Sequence, residues 1–208
     1  MGKPFEKFKG ERIEDLQESI RFFSNQNRRQ RDLWVAQHFL SGHTSIEETA
    51  LAYIPDGDPP DVVYRDINFE VKEILDTGRR RHDEYKQLLA NAQKAKRYSD
   101  FLQIGKSIKK ISVARVYELL EAQLAHLRAK YALAVRATAD LLFYVDLSHS
   151  HLIVDGETIG IRNDWKQYGF RSISFVFHKT SCVLYAAEGA PMLIRDNLGK
   201  VVNRMNYF

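Results

Sequence analysis

Three residues in the first half of the chain, Asp61, Glu70 and Lys72, have the types and spacing to hold a metal ion beside a cation. Asp61 follows Pro60, and Glu70 and Lys72 flank Val71 in an acid-x-lysine triplet. Mg²⁺ prefers oxygen ligands and keeps several waters, so one or two carboxylates are enough to bind it. The metal lowers the pKa of a bound water and stabilises charge that builds on a phosphate, while an ammonium can orient the water or neutralise that charge. These residue types therefore predict metal-dependent hydrolysis of phosphodiester bonds.

The residues around these three favour two strands that meet at a tight turn. Residues 61–65 and 67–75 are rich in β-branched and aromatic side chains, and the prolines and glycine within 56–60 exclude a helix before them. Because side chains alternate along a strand, Glu70 and Lys72 point to one face and the apolar residues between and after them to the other. The segment is therefore predicted to be a hairpin with one apolar face and one polar face.

The register of this hairpin decides whether the polar residues meet. With a two-residue turn at Asp66-Ile67, we expect Asp61 opposite Lys72 and Val63 opposite Glu70. Directly opposed residues project to the same face with Cβ atoms roughly 5 Å apart. A four-residue turn gives the same register, whereas a three-residue turn moves Asp61 to the other face. The metal site therefore depends on an even-numbered turn.

The alternative is a surface hairpin with scattered charges. An acid-x-lysine triplet occurs about once by chance in a protein of this length. The preceding Pro-Asp pair and the apolar opposite face favour the metal site.

The pair Pro60-Asp61 followed by Glu70-Val71-Lys72 resembles the PD-(D/E)XK nuclease superfamily, and the whole chain resembles an uncharacterised bacterial family of candidate endonucleases. The resemblance implies that Asp61 and Glu70 bind Mg²⁺ (or Mn²⁺), that the backbone carbonyl of Val71 assists, and that Lys72 acts on the water. It also implies an α/β fold with a restriction-endonuclease-like core, in which a central mixed β-sheet is flanked by helices in the order helix, three antiparallel strands, helix, strand.

Two features of the superfamily have no clear counterpart. Many members place a glutamate on the helix before the sheet, and here several acids are open candidates for that third ligand: Glu14, Glu18, Asp32, Glu47 and Glu48. Some members carry a Gln-x-x-x-Tyr motif on a later helix, but neither Gln87 nor Gln123 has a tyrosine four residues on. A recombination-type exonuclease is therefore less supported.

Positive charge is concentrated just after the predicted hairpin. The chain has a formal net charge of +4, yet residues 79–110 contain ten Lys and Arg against three acids, so this segment is +7 and the rest of the chain is −3. A phosphate backbone is attracted to such a concentration of cations. We therefore expect Arg79, Arg80, Arg81 and Lys86 to bind nucleic acid; the alternative is a solvated helix face.

The remaining sequence predicts a single α/β domain over residues 1–208, with a helical N-terminal part at 1–42, the catalytic hairpin at 60–75 and antiparallel C-terminal strands at 152–208. Apolar periodicity and β-rich runs predict the following elements: helices at 11–24, 28–40, 79–98 and 112–139, a loop at 105–112, and strands at 49–54, 140–147, 152–154, 173–177, 182–186, 192–194 and 201–202. The apolar stripe of the longest helix is expected to cover the sheet, with pairing in a homodimer as the alternative.

Composition excludes several classes of protein. No apolar run approaches the ~18 residues of a membrane span, and the N-terminus lacks the apolar segment of a secretory signal. The single cysteine, Cys182, rules out an intrachain disulfide and fits a cytoplasmic location. His149 and His151 would share a face of a strand, but no third ligand at suitable spacing supports a zinc site.

Together these features predict a Mg²⁺- or Mn²⁺-dependent nuclease that acts on DNA. Two other classes remain: a catalytically silent nucleic-acid-binding or regulatory protein with a nuclease fold, and a scaffold whose basic segment binds an acidic partner.

Overall fold

The structure is a computed structural model and describes residues 4–102 and 107–203. The chain divides into two compact units. The helical unit consists of Met1–Arg31 and Thr77–Ser107, and the sheet unit consists of Asp32–Asp76 and Ile108–Phe208. A single domain over the whole chain stays a prediction.

The described residues form seven α-helices and eight β-strands. The helices are α1 (Phe5–Phe22), α2 (Arg28–Leu40), α3 (Ile46–Thr49), α4 (Arg81–Lys94), α5 (Val113–Lys130), α6 (Leu133–Arg136) and α7 (Met192–Asp196). The strands are β1 (Val62–Tyr64), β2 (Ile67–Leu75), β3 (Lys109–Ser112), β4 (Asp140–Asp146), β5 (Ser150–Ile153), β6 (Ser172–Phe177), β7 (Thr180–Ala186) and β8 (Val201–Asn203). Short 3₁₀-helices lie at Asn25–Asn27, Tyr98–Phe101 and Asn163–Tyr168.

The helical unit is built on the packing of α1 against α4. Aromatic side chains hold it together: Phe23 stacks on Tyr85 with ring centroids 5.1 Å apart, and Phe8 meets the edge of Phe101 at 5.1 Å. Lys9 adds a hydrogen bond from its Nζ to the carbonyl of Ala95. The helix α1 begins earlier than the periodicity predicted because Pro4, which has no N–H to donate, precedes its first turn.

The sheet unit contains a six-stranded mixed sheet in the order β1-β2-β4-β6-β7-β8. The pairs β2–β4 and β4–β6 are parallel, whereas β1–β2, β6–β7 and β7–β8 are antiparallel. The predicted mixed sheet with flanking helices and an antiparallel C-terminal extension is therefore confirmed. A second, two-stranded parallel sheet joins β3 to β5, so the strand predicted at 152–154 does not belong to the antiparallel C-terminal extension.

Both faces of the six-stranded sheet are buried, as the almost wholly apolar runs of β4 and β6 require. On one face, the buried side of α5 (Val116, Leu120, Leu124 and Leu127) packs on alternate residues of β4, β6 and β7. On the other face, Val35, Phe39 and Leu40 of α2 pack on the intervening residues, among them Phe69 and Val71 of β2. Glu70 and Lys72 alternate with Phe69 and Val71, so they lie on the α5 face.

Three element predictions were wrong. Residues 49–54 do not form a strand: Ser45 accepts a hydrogen bond from the Glu48 N–H and caps the short helix α3, leaving only a bridge between Tyr53 and Val63. Residues 192–194 begin the helix α7, which follows Pro191. The loop predicted at 105–112 contains β3, and its residues 105 and 106 lie outside the described residues.

The helix predicted at 112–139 ends at Lys130. Its start was predicted correctly, since the Ser112 side chain accepts from the Arg115 N–H as an N-cap. At Tyr131 the backbone turns to φ −101° and ψ 134°, and after a short break the chain re-enters a helix at α6. The apolar periodicity continues across this break, so it gave no sign of the end of α5.

Candidate metal centre

The hairpin of β1 and β2 brings Asp61, Glu70 and Lys72 together. Its strands are joined by a two-residue turn, Arg65-Asp66, with Tyr64 opposite Ile67 and Val62 opposite Phe69. The Asp61 N–H continues the ladder by donating to the Phe69 carbonyl at 3.0 Å. Asp61 therefore lies across from Glu70 and not across from Lys72.

The predicted register was wrong by two residues, although the predicted even-numbered turn is confirmed. A turn at Asp66-Ile67 would expose Ile67, and this side chain is only 1% exposed. The turn falls instead on exposed polar residues, with Arg65 at a φ of 53° and its guanidinium 2.6 Å from Glu48. Because the shift is even, all three functional side chains stay on one face.

Lys72 is the ion-pair partner of both carboxylates. Its Nζ donates to Glu70 Oε1 at 2.6 Å and to the Val71 carbonyl at 2.8 Å, and it lies 3.4 Å from Asp61 Oδ2. Asp61 Oδ2 also accepts the Val71 N–H at 2.8 Å. Asp61 is 8% exposed and Glu70 is 3% exposed, and buried carboxylates require such compensation. The Lys72 ammonium thus contacts oxygens of Asp61, Glu70 and Val71, the three residues that the superfamily resemblance assigns to a metal.

Tyr131, the residue that follows α5, completes the surroundings of Glu70. Its hydroxyl donates to Glu70 Oε1 at 2.6 Å. Burial raises the pKa of the Tyr131 hydroxyl well above its ordinary value, and the hydrogen bond to Glu70 and the nearby carboxylates raise the pKa further. The hydroxyl is therefore a stable donor. Among the described residues, no group donates to the other Glu70 oxygen, Oε2, although that atom is buried.

A third carboxylate, that of Asp58, lies beside the other two. Asp58, Asp61 and Glu70 each offer one oxygen within 4.8 Å of the others. Asp58 is exposed and belongs to the turn before β1. The upstream candidates of the sheet unit are outside this group: Glu48 pairs with Arg65 and Thr44, and neither Glu47 nor Asp32 belongs to it.

Sequence reasoning missed both Asp58 and Tyr131. A signal for Asp58 was present, since it stands three residues before Asp61 in a proline-rich turn that brings the chain into the strand. No signal marked Tyr131, which the periodicity of the helix placed among apolar residues.

The site fits a divalent cation. Three carboxylates converge, and a buried carboxylate oxygen in one of them has no donor among the described residues, a combination that a hard cation with oxygen ligands satisfies. Asp61 and Glu70 are the predicted ligands, Asp58 is an additional one, and the predicted Val71 carbonyl is engaged by Lys72.

The four residues predicted to bind nucleic acid lie at the start of α4, in the helical unit. Arg79 Nε donates to both oxygens of Glu84 at 3.0 Å, and Arg81 is buried with its guanidinium 4.2 Å from the centre of the Phe23 ring. Arg80 and Lys86 are exposed. Their binding of nucleic acid stays a prediction, in which Arg80 and Lys86 are the accessible cations.

The two units differ in net charge. The helical unit contains sixteen Lys and Arg against eight acids, a net charge of +8, so the sheet unit is −4. Positive charge thus belongs to one unit and the acidic centre to the other.

Neither the histidine pair nor the cysteine forms a rival centre. Within the part of the chain that the structure describes, the convergent ligand group contains no histidine or cysteine. His151 and His178 line an open cleft of about 670 Å³ in the sheet unit. Cys182 is fully buried, and burial raises the pKa of its thiol to about 12, which leaves it unreactive at neutral pH.

Fold and site together define an α/β protein with three carboxylates and a lysine on one face of a mixed sheet. The chain belongs to the family described as "Putative endonuclease, protein of unknown function (DUF1780)", whose pattern matches residues 7–206. No curated protein matches the chain.

A solved structure shares the fold. It is a protein of unknown function from Pseudomonas aeruginosa strain PAO1, described as a member of a monooxygenase superfamily, and it superposes with a TM-score of 0.64 at 22% sequence identity. The match covers 97% of this chain and 96% of that one. At this identity the likeness concerns the fold alone.

In residues 4–102 and 107–203, no helix combines the length and the apolar character that a membrane span needs.

Proposed function

We propose that the protein is a Mg²⁺- or Mn²⁺-dependent nuclease of the PD-(D/E)XK type that hydrolyses phosphodiester bonds of DNA. The observation that supports it best is the convergence of Asp58, Asp61, Glu70 and Lys72 on one face of the hairpin. The family's description as endonucleases supports the same reaction class. The single buried cysteine is consistent with a cytoplasmic enzyme.

Each residue of the centre has a distinct role in this proposal. Asp58, Asp61 and Glu70 would hold the metal, which supplies a water of lowered pKa and stabilises charge on the phosphate. Lys72 is held between the two buried carboxylates, so its ammonium would donate to the attacking water or to a phosphate oxygen. Asp61 and Glu70 are buried, so their carboxylates would be held in position before the substrate binds.

The helical unit would supply attraction for the polyanionic substrate. A net charge of +8 on this unit favours phosphate backbones through counterion release, whereas the sheet unit at −4 favours a cation and not a polyanion. DNA is the substrate that the superfamily resemblance implies. A homodimer, which the apolar stripe of α5 left open, is not needed for the proposed centre.

The direct test is a cleavage assay on single-stranded, duplex and branched DNA and on RNA, with Mg²⁺, with Mn²⁺ and with EDTA. We expect metal-dependent cleavage that falls at least a hundredfold in Asp61→Asn and Lys72→Ala, because each removes a group that acts in the transition state. Asp155→Asn and Lys166→Ala, at exposed positions of the sheet unit, are matched controls and should cleave as the unaltered protein does. Cleavage that survives EDTA, or that is unchanged in both site variants, contradicts the proposal.

The second candidate is a nucleic-acid-binding protein that does not cut. It is favoured by one observation: the Lys72 ammonium is an ion-pair partner of both buried carboxylates. This function predicts salt-sensitive binding of nucleic acid and no turnover with any divalent metal. The absence of binding even at low salt would instead favour a scaffold for an acidic partner.

A further inference from the structure

We propose that Tyr131 is a positioning residue that turns Glu70 so that its Oε2 atom faces the metal. The inference rests on the proposed metal site and adds to it a residue from a different element of the fold. Its basis is the unequal surroundings of the two Glu70 oxygens: Oε1 accepts from Tyr131 and from Lys72, each at 2.6 Å, while Oε2 accepts from none of the described residues.

Two donors on one oxygen fix the rotation of the carboxylate. The terminal torsion of a glutamate is broad, so a carboxylate without such donors rotates over a wide range. Rotation of the carboxylate away from this position would break two strong hydrogen bonds to Oε1, and a half-turn only exchanges two equivalent oxygens, so one oxygen faces Tyr131 and Lys72 and the other faces away. With Oε1 occupied, the lone pairs of Oε2 are the ones available to a cation beside Asp58 and Asp61.

The Tyr131 ring is itself held in place. The backbone N–H of Tyr131 donates to the Leu127 carbonyl at 3.0 Å, and the backbone carbonyl of Tyr131 accepts from Arg136 Nε at 3.0 Å. Lys72 Nζ and Lys130 Nζ lie 5.9 Å and 5.1 Å from the centre of the ring. The Tyr131 backbone and ring are therefore held in position, so the hydroxyl can determine the orientation of the Glu70 carboxylate.

Tyr131→Phe tests the inference because it removes the hydroxyl and keeps the ring. We expect its Mn²⁺ affinity, measured by titration calorimetry of the full chain, to fall about 10- to 100-fold, as is typical when a group that orients a metal ligand is removed. Tyr117→Phe is the matched control: it lies on α5 and loses a hydrogen bond of 2.7 Å to the Gly160 carbonyl. It should bind Mn²⁺ as the unaltered protein does.

The outcomes separate this inference from the proposed function. If the unaltered protein binds Mn²⁺ and Tyr131→Phe binds it equally well, the positioning role is overturned and the metal site stands. If the unaltered protein binds no Mn²⁺, both fall. A crystal of the unaltered protein soaked in Mn²⁺ gives a check that needs no variant: we expect the ion on the Glu70 oxygen that does not accept from Tyr131, and an ion on the oxygen that does would overturn the inference.

Discussion

Lys72 makes the candidate centre self-compensated. Its ammonium pairs with both buried carboxylates and is itself only 16% exposed, so the three groups are buried together with one positive charge against two negative ones. Removal of one member of such a set leaves an uncompensated buried charge, which is more damaging than the loss of a surface ion pair.

Lys72→Met is therefore expected to destabilise the metal-free protein by about 3–5 kcal/mol. Addition of Mn²⁺ should restore part of this loss, since the metal then supplies the missing positive charge. The rise in melting temperature on adding Mn²⁺ should accordingly be larger in Lys72→Met than in the unaltered protein, as measured by thermal unfolding with Mn²⁺ and with EDTA. Lys166→Met, at an exposed position, is the control. Equal Mn²⁺-induced shifts in all three proteins would show that the ammonium does not compensate the metal ligands.

A partly buried histidine should make the stability of the protein depend on pH. His43 follows α2, and burial lowers the pKa of its imidazole below the ordinary value of 6.5. The unfolded chain therefore binds a proton at a higher pH than the folded protein does. The free energy of unfolding should fall as the pH drops below about 6.5, and the fall should end once the pH is below the pKa of His43 in the folded protein. Urea unfolding between pH 7.5 and 5 should show a weaker dependence in His43→Gln; an unchanged dependence would place its source elsewhere.

At the scale of elements, the α5–α6 junction positions Tyr131. Arg136 of α6 donates to the carbonyls of Tyr131 and Tyr168, and Gly169 packs against that same guanidinium. Gly169 has a φ of +76°, and a Cβ there would lie 2.9 Å from Leu133 Cδ1 and 3.0 Å from Arg136 Nη1. Both the backbone conformation and the space therefore require glycine.

Gly169→Ala is expected to lower the free energy of unfolding by about 1–3 kcal/mol, since it adds a left-handed non-glycine residue and a steric clash. Gly189→Ala is the matched control, because its Cβ would meet no atom within 4 Å and its φ needs no glycine. Urea unfolding of both variants measures the difference. If Gly189→Ala is destabilised as much as Gly169→Ala, the packing argument is wrong.

The sequence predicts some features of the candidate site and not others. Alternation of apolar and polar residues was enough to place Glu70 and Lys72 on one face, because it depends on local backbone geometry. The register was not predictable in the same way, since it is set by the burial of Ile67 under tertiary contacts. Asp58 and Tyr131 join the centre through a turn and a helix end, and neither has a periodic signal.

At the scale of the whole molecule, the charge difference between the units leads to a prediction about binding. The double variant Arg80→Glu/Lys86→Glu changes two exposed residues of the basic segment. It should weaken DNA binding and reduce the slope of log affinity against log salt by about 2, one for each phosphate that the variant no longer neutralises. Fluorescence anisotropy over a NaCl series measures this slope. Lys166→Glu/Arg195→Glu makes the same change in net charge at exposed positions of the sheet unit, and an equal effect there would mean that binding follows net charge and not the basic segment.

The ion pairs of Lys72 also bear on when the protein becomes active. A chain whose folded state depends on a metal cannot accumulate without one, as in small zinc-dependent domains. Here the carboxylates already have an internal partner, so the protein can be synthesised, fold and persist while divalent ions are scarce. If the proposed metal binds, its uptake would be a separate and reversible step after folding, and the supply of the ion, not the supply of folded chains, would set how much of the protein is active at a given moment.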